Sequence, residues 1–216
     1  MIQIMKQVIK PCQIYLIRHG QTQANTTGIL QGQEDSPLTD EGIKEIKNRA
    51  KELKKINFSA FYSSDTLRAK RTAELIAAEH KLIVSTTELI RERHFGNYEG
   101  KHYTEYQKDF KELLTIRESL SKTDRMKFRL ADNIETDEDT ITRLIRFIRE
   151  VSLDHPNETI GVVSHGGVIR AFLIHLGWAS YQTLPPGTID NVAYVKLESD
   201  GIEFNVINTK GLHRKE

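Results

Sequence analysis

The chain has 216 residues, enough to bury a full α/β core in one domain rather than two small ones. Its 31 Lys and Arg stand against 30 Asp and Glu, so the basic excess of a general nucleic-acid binder is missing and no nucleic-acid partner is expected. One cysteine, Cys12, excludes a disulfide framework and a cysteine zinc site, and no apolar run nears the roughly 18 residues of a membrane span.

Residues 1–11 are too short and too interrupted by Gln and Lys for a secretory signal. A soluble cytoplasmic protein without membrane contact, monomer or homodimer, is therefore expected. Residues 14–17 read as a buried strand, followed by a polar loop over 21–35. Ser36-Pro37-Leu38-Thr39-Asp40 opens a helix with Ile43, Ile46, Ala50 and Leu53 on one face. A second strand is predicted over 58–62, and Ser64 or Asp65 can cap the helix carrying Ala69, Ala73, Ile76 and Ala77. A third strand near 82–85 precedes the loop 89–100. Strand and helix alternate through these hundred residues, which argues for a parallel sheet.

Residues 101–156 differ in character, with charged amphipathic helices predicted over 103–120 and 137–151, the second marked by Ile141, Leu144, Ile145 and Ile148. The α/β pattern returns with a strand over 160–164 and a helix over 168–176. A hairpin closes the chain, with strands over 192–197 and 202–207 around Ser199-Asp200-Gly201. The expected architecture is a single domain, 1–216: a three-layer α/β sandwich whose mostly parallel sheet has helices on both faces. The segment 101–156 is a helical insertion over one edge and over the active site.

Three strand ends carry polar groups to one side of such a sheet, where ligands bind in open α/β folds. Arg18 and His19 follow the first strand, Ser63, Ser64 and Arg68 the second, and His165 and Gly166 the fourth. Arginine suits phosphate because its planar fork donates paired hydrogen bonds, and helix starts favour anions. Gly20, Gly166 and Gly167 let backbone pass close to a ligand. Alone, each piece has a bland reading: a His-Gly turn is usually structural, Arg68 a solvated helix residue, Asn25, Gln31 and Gly32 mere turn chemistry. Their joint pattern points to an anion site holding a nucleophile.

Those residues also carry a resemblance. Arg18-His19-Gly20-Gln21-Thr22 with Asn25, then Leu30-Gln31-Gly32, Asp35-Ser36-Pro37-Leu38-Thr39 and Gly42, resembles the opening of the histidine phosphatase superfamily, phosphoglycerate mutase-like branch. Ser63-Ser64-Asp65 with Leu67-Arg68-Ala69 and Arg71-Thr72-Ala73 is similar to its second signature. The stretch 89–100, with Glu92, Phe95-Gly96 and Glu99-Gly100, resembles its third, and Ser164-His165-Gly166-Gly167 its fourth. Four ordered signatures span about 13–176.

The resemblance implies a phosphohistidine mechanism. His19 is the nucleophile and must attack as neutral imidazole, which neighbouring Arg18, Arg68 and His165 favour. Arg18, Arg68 and His165 clamp the phosphoryl oxygens, while Asn25, Gln31 and Gly32 add donors on the open side and Gly166 binds substrate through backbone. Glu92 is the acid toward the leaving group and then the base toward water. Its bland alternative is a surface ion pair with Arg91 or Arg93. The arginines supply the positive charge, so no metal and no cofactor is implied. The expected partner is a small phosphorylated metabolite such as a sugar phosphate.

Departures from the pattern separate phosphatase from mutase. In bisphosphoglycerate-dependent mutases a tyrosine matches Phe95 and a lysine matches Tyr103, and both touch substrate; here hydroxyl and fixed charge are gone. The paired arginine and proline-rich stretch of mutases have no counterpart in Arg125-Met126-Lys127-Phe128-Arg129. Gln21 stands where glutamate is common. Of the Pro-Gly-Gly-Glu-Ser/Thr loop of fructose-2,6-bisphosphatase- and TIGAR-like phosphatases only Glu135-Thr136 remains, with Arg143 on the following helix. The reading is a phosphomonoesterase of this phosphatase subgroup, which also takes in broad-specificity phosphatases. The alternatives are a mutase, a non-catalytic phosphate-binding scaffold, and a protein-interaction module on the insertion helices.

Overall fold

The computed structural model of the protein describes residues 10–215, so nearly all of the 1–11 stretch weighed as a signal lies outside the described residues. Six strands form one sheet: β1 (Cys12–Arg18), β2 (Ala60–Ser64), β3 (Val84–Thr87), β4 (Thr159–Ser164), β5 (Ile189–Ser199) and β6 (Phe204–Leu212). Their order is β3-β2-β4-β1-β5-β6, parallel from β3 to β1, with β5 and β6 added antiparallel.

Strand alternation sorts the core into two faces. Cys12, Ile14 and Leu16 of β1 pack with Ile160 and Val162 under α7 (Asp137–Asp154) and α8 (Gly166–His175). After β1 comes a short helix, α1 (Gln23–Thr27). Tyr15 and Ile17 face α2 (Asp40–Leu53) and α3 (Leu67–Ala77), against Ile46, Ala50, Ala69, Ala73 and Ile76. This is the expected three-layer sandwich. No helix among the described residues is long and apolar enough to cross a membrane.

Several elements differ from expectation, each for a local reason. The stretch predicted as a helix over 103–120 is broken at Phe110 (φ −101°, ψ 17°) into α4 (Tyr103–Asp109) and α5 (Lys111–Ser119). There the Phe110 ring packs on Tyr98 and Tyr106, and the Tyr98 hydroxyl donates to Asp109 at 3.0 Å. A further helix, α6 (Lys122–Lys127), follows, capped by the Ser121 hydroxyl. Helix α7 lays Ile141, Leu144, Phe147, Ile148 and Val151 into the sheet-face core.

Strand β3 starts two residues later than predicted, because Lys81 adopts a left-handed conformation and leaves Ile83 91% exposed in the turn. The hairpin strands are longer than predicted. Their turn is set by the Asp200 carboxylate, which accepts the N–H groups of Ile202 and Glu203 at 2.9 Å.

Candidate active site

Strands β1 and β4 are parallel neighbours with Arg18 opposite Ser164, so the residues that follow each strand emerge side by side. The His19 N–H donates to the Ser164 carbonyl at 3.0 Å, and the two imidazole centroids are 5.2 Å apart. Arg68 comes from the first turn of α3, after β2, which pairs with β4. All three strand ends therefore meet at one point, as the sequence suggested.

The two histidines are fixed in opposite tautomers. His19 Nδ1 lies 2.7 Å from the Gly20 carbonyl, which can only accept, so Nδ1 carries hydrogen and Nε2 carries a lone pair. His165 Nδ1 lies 3.2 Å from Nη2 of Arg68, which can only donate, so in His165 the hydrogen is on Nε2. Both rings are buried. Burial first, then the charge of Arg68, holds each imidazole well below its ordinary range, so both are neutral at neutral pH.

Arg68 is 1% exposed and almost fully committed. Nη1 donates to the Glu34 carbonyl (2.6 Å) and to Asp35 (3.2 Å), and Nη2 to the Gly32 carbonyl (2.7 Å) and His165. Only its Nε–H is left, so Arg68 offers one hydrogen bond, not a fork. Arg18 gives Nη1 to the Ile189 carbonyl of β5 and likewise keeps Nε–H. The buried Nε atoms of Arg18 and Arg68 and Nε2 of His165 have no hydrogen-bond partner among the described residues. Three desolvated N–H donors around one point suit an oxyanion with several oxygens.

Glu92 has neither of the ion pairs weighed for it, since Arg91 pairs with Asp65 and Arg93 with Asp137. Its carboxylate accepts backbone N–H groups instead, Oε1 from Arg93 and Oε2 from Gly167, each at 2.8 Å. A Cβ on Gly167 would sit 2.5 Å from Oε1, so only glycine at this start of α8 admits the carboxylate. Gly166 opens the same helix beside the Arg18 guanidinium.

Arg143 stitches the Glu92 loop to α7. It donates to the carbonyls of Leu89 (3.0 Å) and Arg91 (3.2 Å) while paired with Glu135 at 2.7 Å. The remnant Glu135-Thr136 thus holds the loop that presents Glu92, and Thr136 caps α7.

Other expected residues are placed as follows. Asn25 and Gln31 commit their side-chain carbonyls to Thr22, at 3.1 and 3.0 Å, which leaves their NH2 groups unengaged by protein among the described residues. Gly32 (φ +52°) forms the turn whose carbonyl meets Arg68, with the Glu99 carboxylate filling the space a side chain would need. Gln21 accepts from the Thr39 hydroxyl at the start of α2. Ser63 and Ser64 do not join the site, because their hydroxyls are turned to neighbouring chain. Nor does Asp65 or Ser64 cap α3. Asp35, from the polar loop, accepts the Leu67 N–H at 2.9 Å and the Arg68 N–H at 3.4 Å, since Asp65 is taken by Arg91.

One residue went unnoticed in the sequence. Asn191 donates from Nδ2 to the His19 carbonyl at 3.2 Å and to Asn25 Oδ1 at 3.4 Å. It sits in an irregularity of β5 where Val192 has φ +51°, a conformation rare for a β-branched residue. The signal for it in the sequence is slight, an Asp-Asn pair just before the strand predicted over 192–197.

The family description "histidine phosphatase superfamily (branch 1)" matches residues 14–210. The chain belongs to this superfamily. It is a phosphatase, and a metal-independent phosphoserine phosphatase of Arabidopsis thaliana is 32% identical to it over 171 residues, covering 78% of this chain and 70% of that one. A broad-specificity phosphatase of Saccharomyces cerevisiae is 30% identical over 211 residues, 92% of this chain and 86% of that one. Among solved structures, a phosphoglycerate mutase from Bacillus anthracis superposes on the phosphatase with a TM-score of 0.81 at 25% identity, covering 94% of each chain.

Proposed function

We propose that this phosphatase hydrolyses a small phosphomonoester, such as a sugar phosphate or a related metabolite, through a phosphohistidine on His19. The observation that carries the reading is the pair of opposite tautomers: a buried neutral lone pair on His19 Nε2 beside a buried N–H on His165 Nε2. In the first step Nε2 of His19 bonds to phosphorus as the ester P–O bond breaks, and the leaving oxygen takes a proton from Glu92. Throughout, Nδ1–H stays on the Gly20 carbonyl. In the second step water gives a proton to Glu92, its oxygen bonds to phosphorus, and the N–P bond breaks to restore His19.

The Nε–H groups of Arg18 and Arg68 and the Nε2–H of His165 meet the phosphoryl oxygens, where charge gathers during transfer. Gly166 backbone and the amide ends of Asn25 and Gln31, with the Gly32 turn, bound the same space. Because these cations stand where metals serve in other phosphoryl-transfer sites, chelator treatment is expected to leave turnover intact, and loss of activity in EDTA overturns that point. Phe95, without a hydroxyl, and Tyr103, 45% exposed on α4, favour hydrolysis over phosphoryl return to a carboxylate-bearing acceptor. The chain is read as one domain, 1–216, with 101–156 bordering the pocket, acting in the cytoplasm.

The test is acid-stable against acid-labile label. Brief incubation with a 32P-phosphomonoester and alkaline quench is expected to label wild type, and His19→Ala should lose both label and at least about a thousandfold of turnover. Turnover retained in His19→Ala overturns the mechanism. Adding 2,3-bisphosphoglycerate with 3-phosphoglycerate separates the mutase, which would isomerise its substrate instead of releasing phosphate.

A further inference from the structure

Beside Glu92 the chain gathers arginines that no ion-pair network balances. Arg93 follows the proposed acid directly and pairs with Asp137 at the start of α7. Asp137 also accepts from the Tyr181 hydroxyl, and the Tyr181 ring carries two more guanidinium groups, Arg125 at 4.0 Å and Arg170 at 5.4 Å from its centroid. Arg117 of α5 donates to the Tyr106 hydroxyl, and the Tyr106 ring packs on the Phe95 ring, 6.0 Å from the Arg93 guanidinium. Five elements thus converge: the Glu92 loop, α5, α6, α7 and α8.

Arg170 lies three residues beyond Gly167 on α8. It is therefore one turn, roughly 5 Å, from the N–H that holds Glu92, and its Nε–H donates to the Leu184 carbonyl at 2.6 Å, with the guanidinium over the Tyr181 ring. Of the cations at 125–129, Arg129 is tied to Asp139 and Lys127 reaches out to Glu138; Arg125 alone turns inward.

The charges do not cancel. Arg117, Arg125 and Arg170 make no salt bridge among the described residues, and Asp137 is the one carboxylate bonded into the group. The buried Nε atoms of Arg93 and Arg125 have no hydrogen-bond partner among the described residues. Like charges held this close disfavour one another. Burial, followed by the charges of Arg93, Arg117 and Arg125, brings the Arg170 guanidinium down to about 10, and the nearby Arg117 charge lowers Arg93 and Arg125 after burial does. Such an excess is stable where an anion joins it.

We infer that Arg93, Arg117, Arg125 and Arg170 form a second oxyanion subsite, so that the preferred substrates are phosphomonoesters whose leaving group carries another carboxylate or phosphate. This rests on the phosphatase reading, because Glu92 marks the leaving-group side and Arg93 is its neighbour. A leaving group extending past Glu92 brings its far end to the arginines.

The measurement is the ratio of kcat/KM between esters carrying two anionic groups (doubly anionic) and esters carrying only the phosphoryl group (singly anionic). The doubly anionic probes are 3-phosphoglycerate and fructose 1,6-bisphosphate; the singly anionic ones are glycerol 3-phosphate and glucose 6-phosphate. Wild type is expected to prefer the former by about tenfold or more, and whichever of the two doubly anionic probes wins names the group as carboxylate or phosphate. In the Arg117→Gln/Arg125→Gln variant that ratio should fall about tenfold, and Arg117→Lys/Arg125→Lys should restore part of it. A proportional fall on every substrate, leaving the ratio unchanged, assigns the cluster a purely structural role and overturns the subsite, as does a wild type with no preference.

If wild type turns over none of these esters or p-nitrophenyl phosphate, the phosphatase reading falls by itself. Calorimetry then reads the subsite without turnover. Equal affinity of wild type and the Gln variant for 3-phosphoglycerate overturns it, and a tenfold loss in the variant supports it.

Discussion

At the scale of single residues, His19 and His165 begin as similar signals, each a histidine before glycine at a strand end, and differ only through what their Nδ1 atoms touch. A carbonyl leaves one with a lone pair on Nε2, and a guanidinium leaves the other with an N–H there. Neither partner is legible in the sequence, since Gly20 acts through backbone and Arg68 comes from another strand end. Glu92 is legible as a candidate, but what frees it is not: Asp65 and Asp137 draw off its two arginine neighbours. The acid role predicts a dependence on leaving group. Glu92→Gln should slow alkyl phosphates by about a hundredfold or more and p-nitrophenyl phosphate, whose leaving group needs no proton, much less. Measured kcat/KM values that fall equally on both would remove Glu92 from that role.

At the scale of elements, buried strands and helix faces could be read because local periodicity encodes them, as with Ile14–Ile17 against Ile160–Val163. Contacts made across the chain could not. The start of α3 shows the difference. Its N-cap, Thr66, makes no side-chain cap bond, and the cap comes from Asp35 in a loop 32 residues earlier. The same carboxylate holds Arg68 Nη1, so one side chain closes a helix end and sets the arginine proposed to meet the phosphoryl group. Asp35→Ala should therefore cost about 1–2 kcal/mol in urea unfolding and also lower kcat/KM, whereas Asp35→Asn should recover much of the stability but less of the activity. Unchanged stability in Asp35→Ala would show that the bond to α3 does not cap it. The β5 irregularity is similar in kind. A period-two pattern conceals the left-handed Val192 that turns Asn191 onto the His19 carbonyl, because strand patterning reports faces and not local register.

For the whole molecule, the sheet order was the piece the sequence left open, and it decides everything else. Placing β4 between β1 and β2 brings three chain-distant signatures within hydrogen-bond range. The same burial that makes His19 and His165 neutral has a cost for the fold in acid. Their native values lie well below the ordinary 6.5 or so, while in the unfolded chain both imidazoles are free to protonate near that value. Between the two values the unfolded state binds more protons than the native state. Stability is then level above about pH 6.5 and falls as pH drops below it, by as much as about 1.4 kcal/mol per pH unit for each histidine. His80 and His175, also lowered by burial, act in the same direction. Urea unfolding of wild type from pH 7.5 to 5.0 should show this decline, and His19→Asn/His165→Asn, which keeps polar groups of similar size, should flatten it by up to two protons. An unchanged slope in the double variant would mean that the two imidazoles do not enter the native state neutral, and the proposed nucleophile, His19, would then lack the lone pair its chemistry requires.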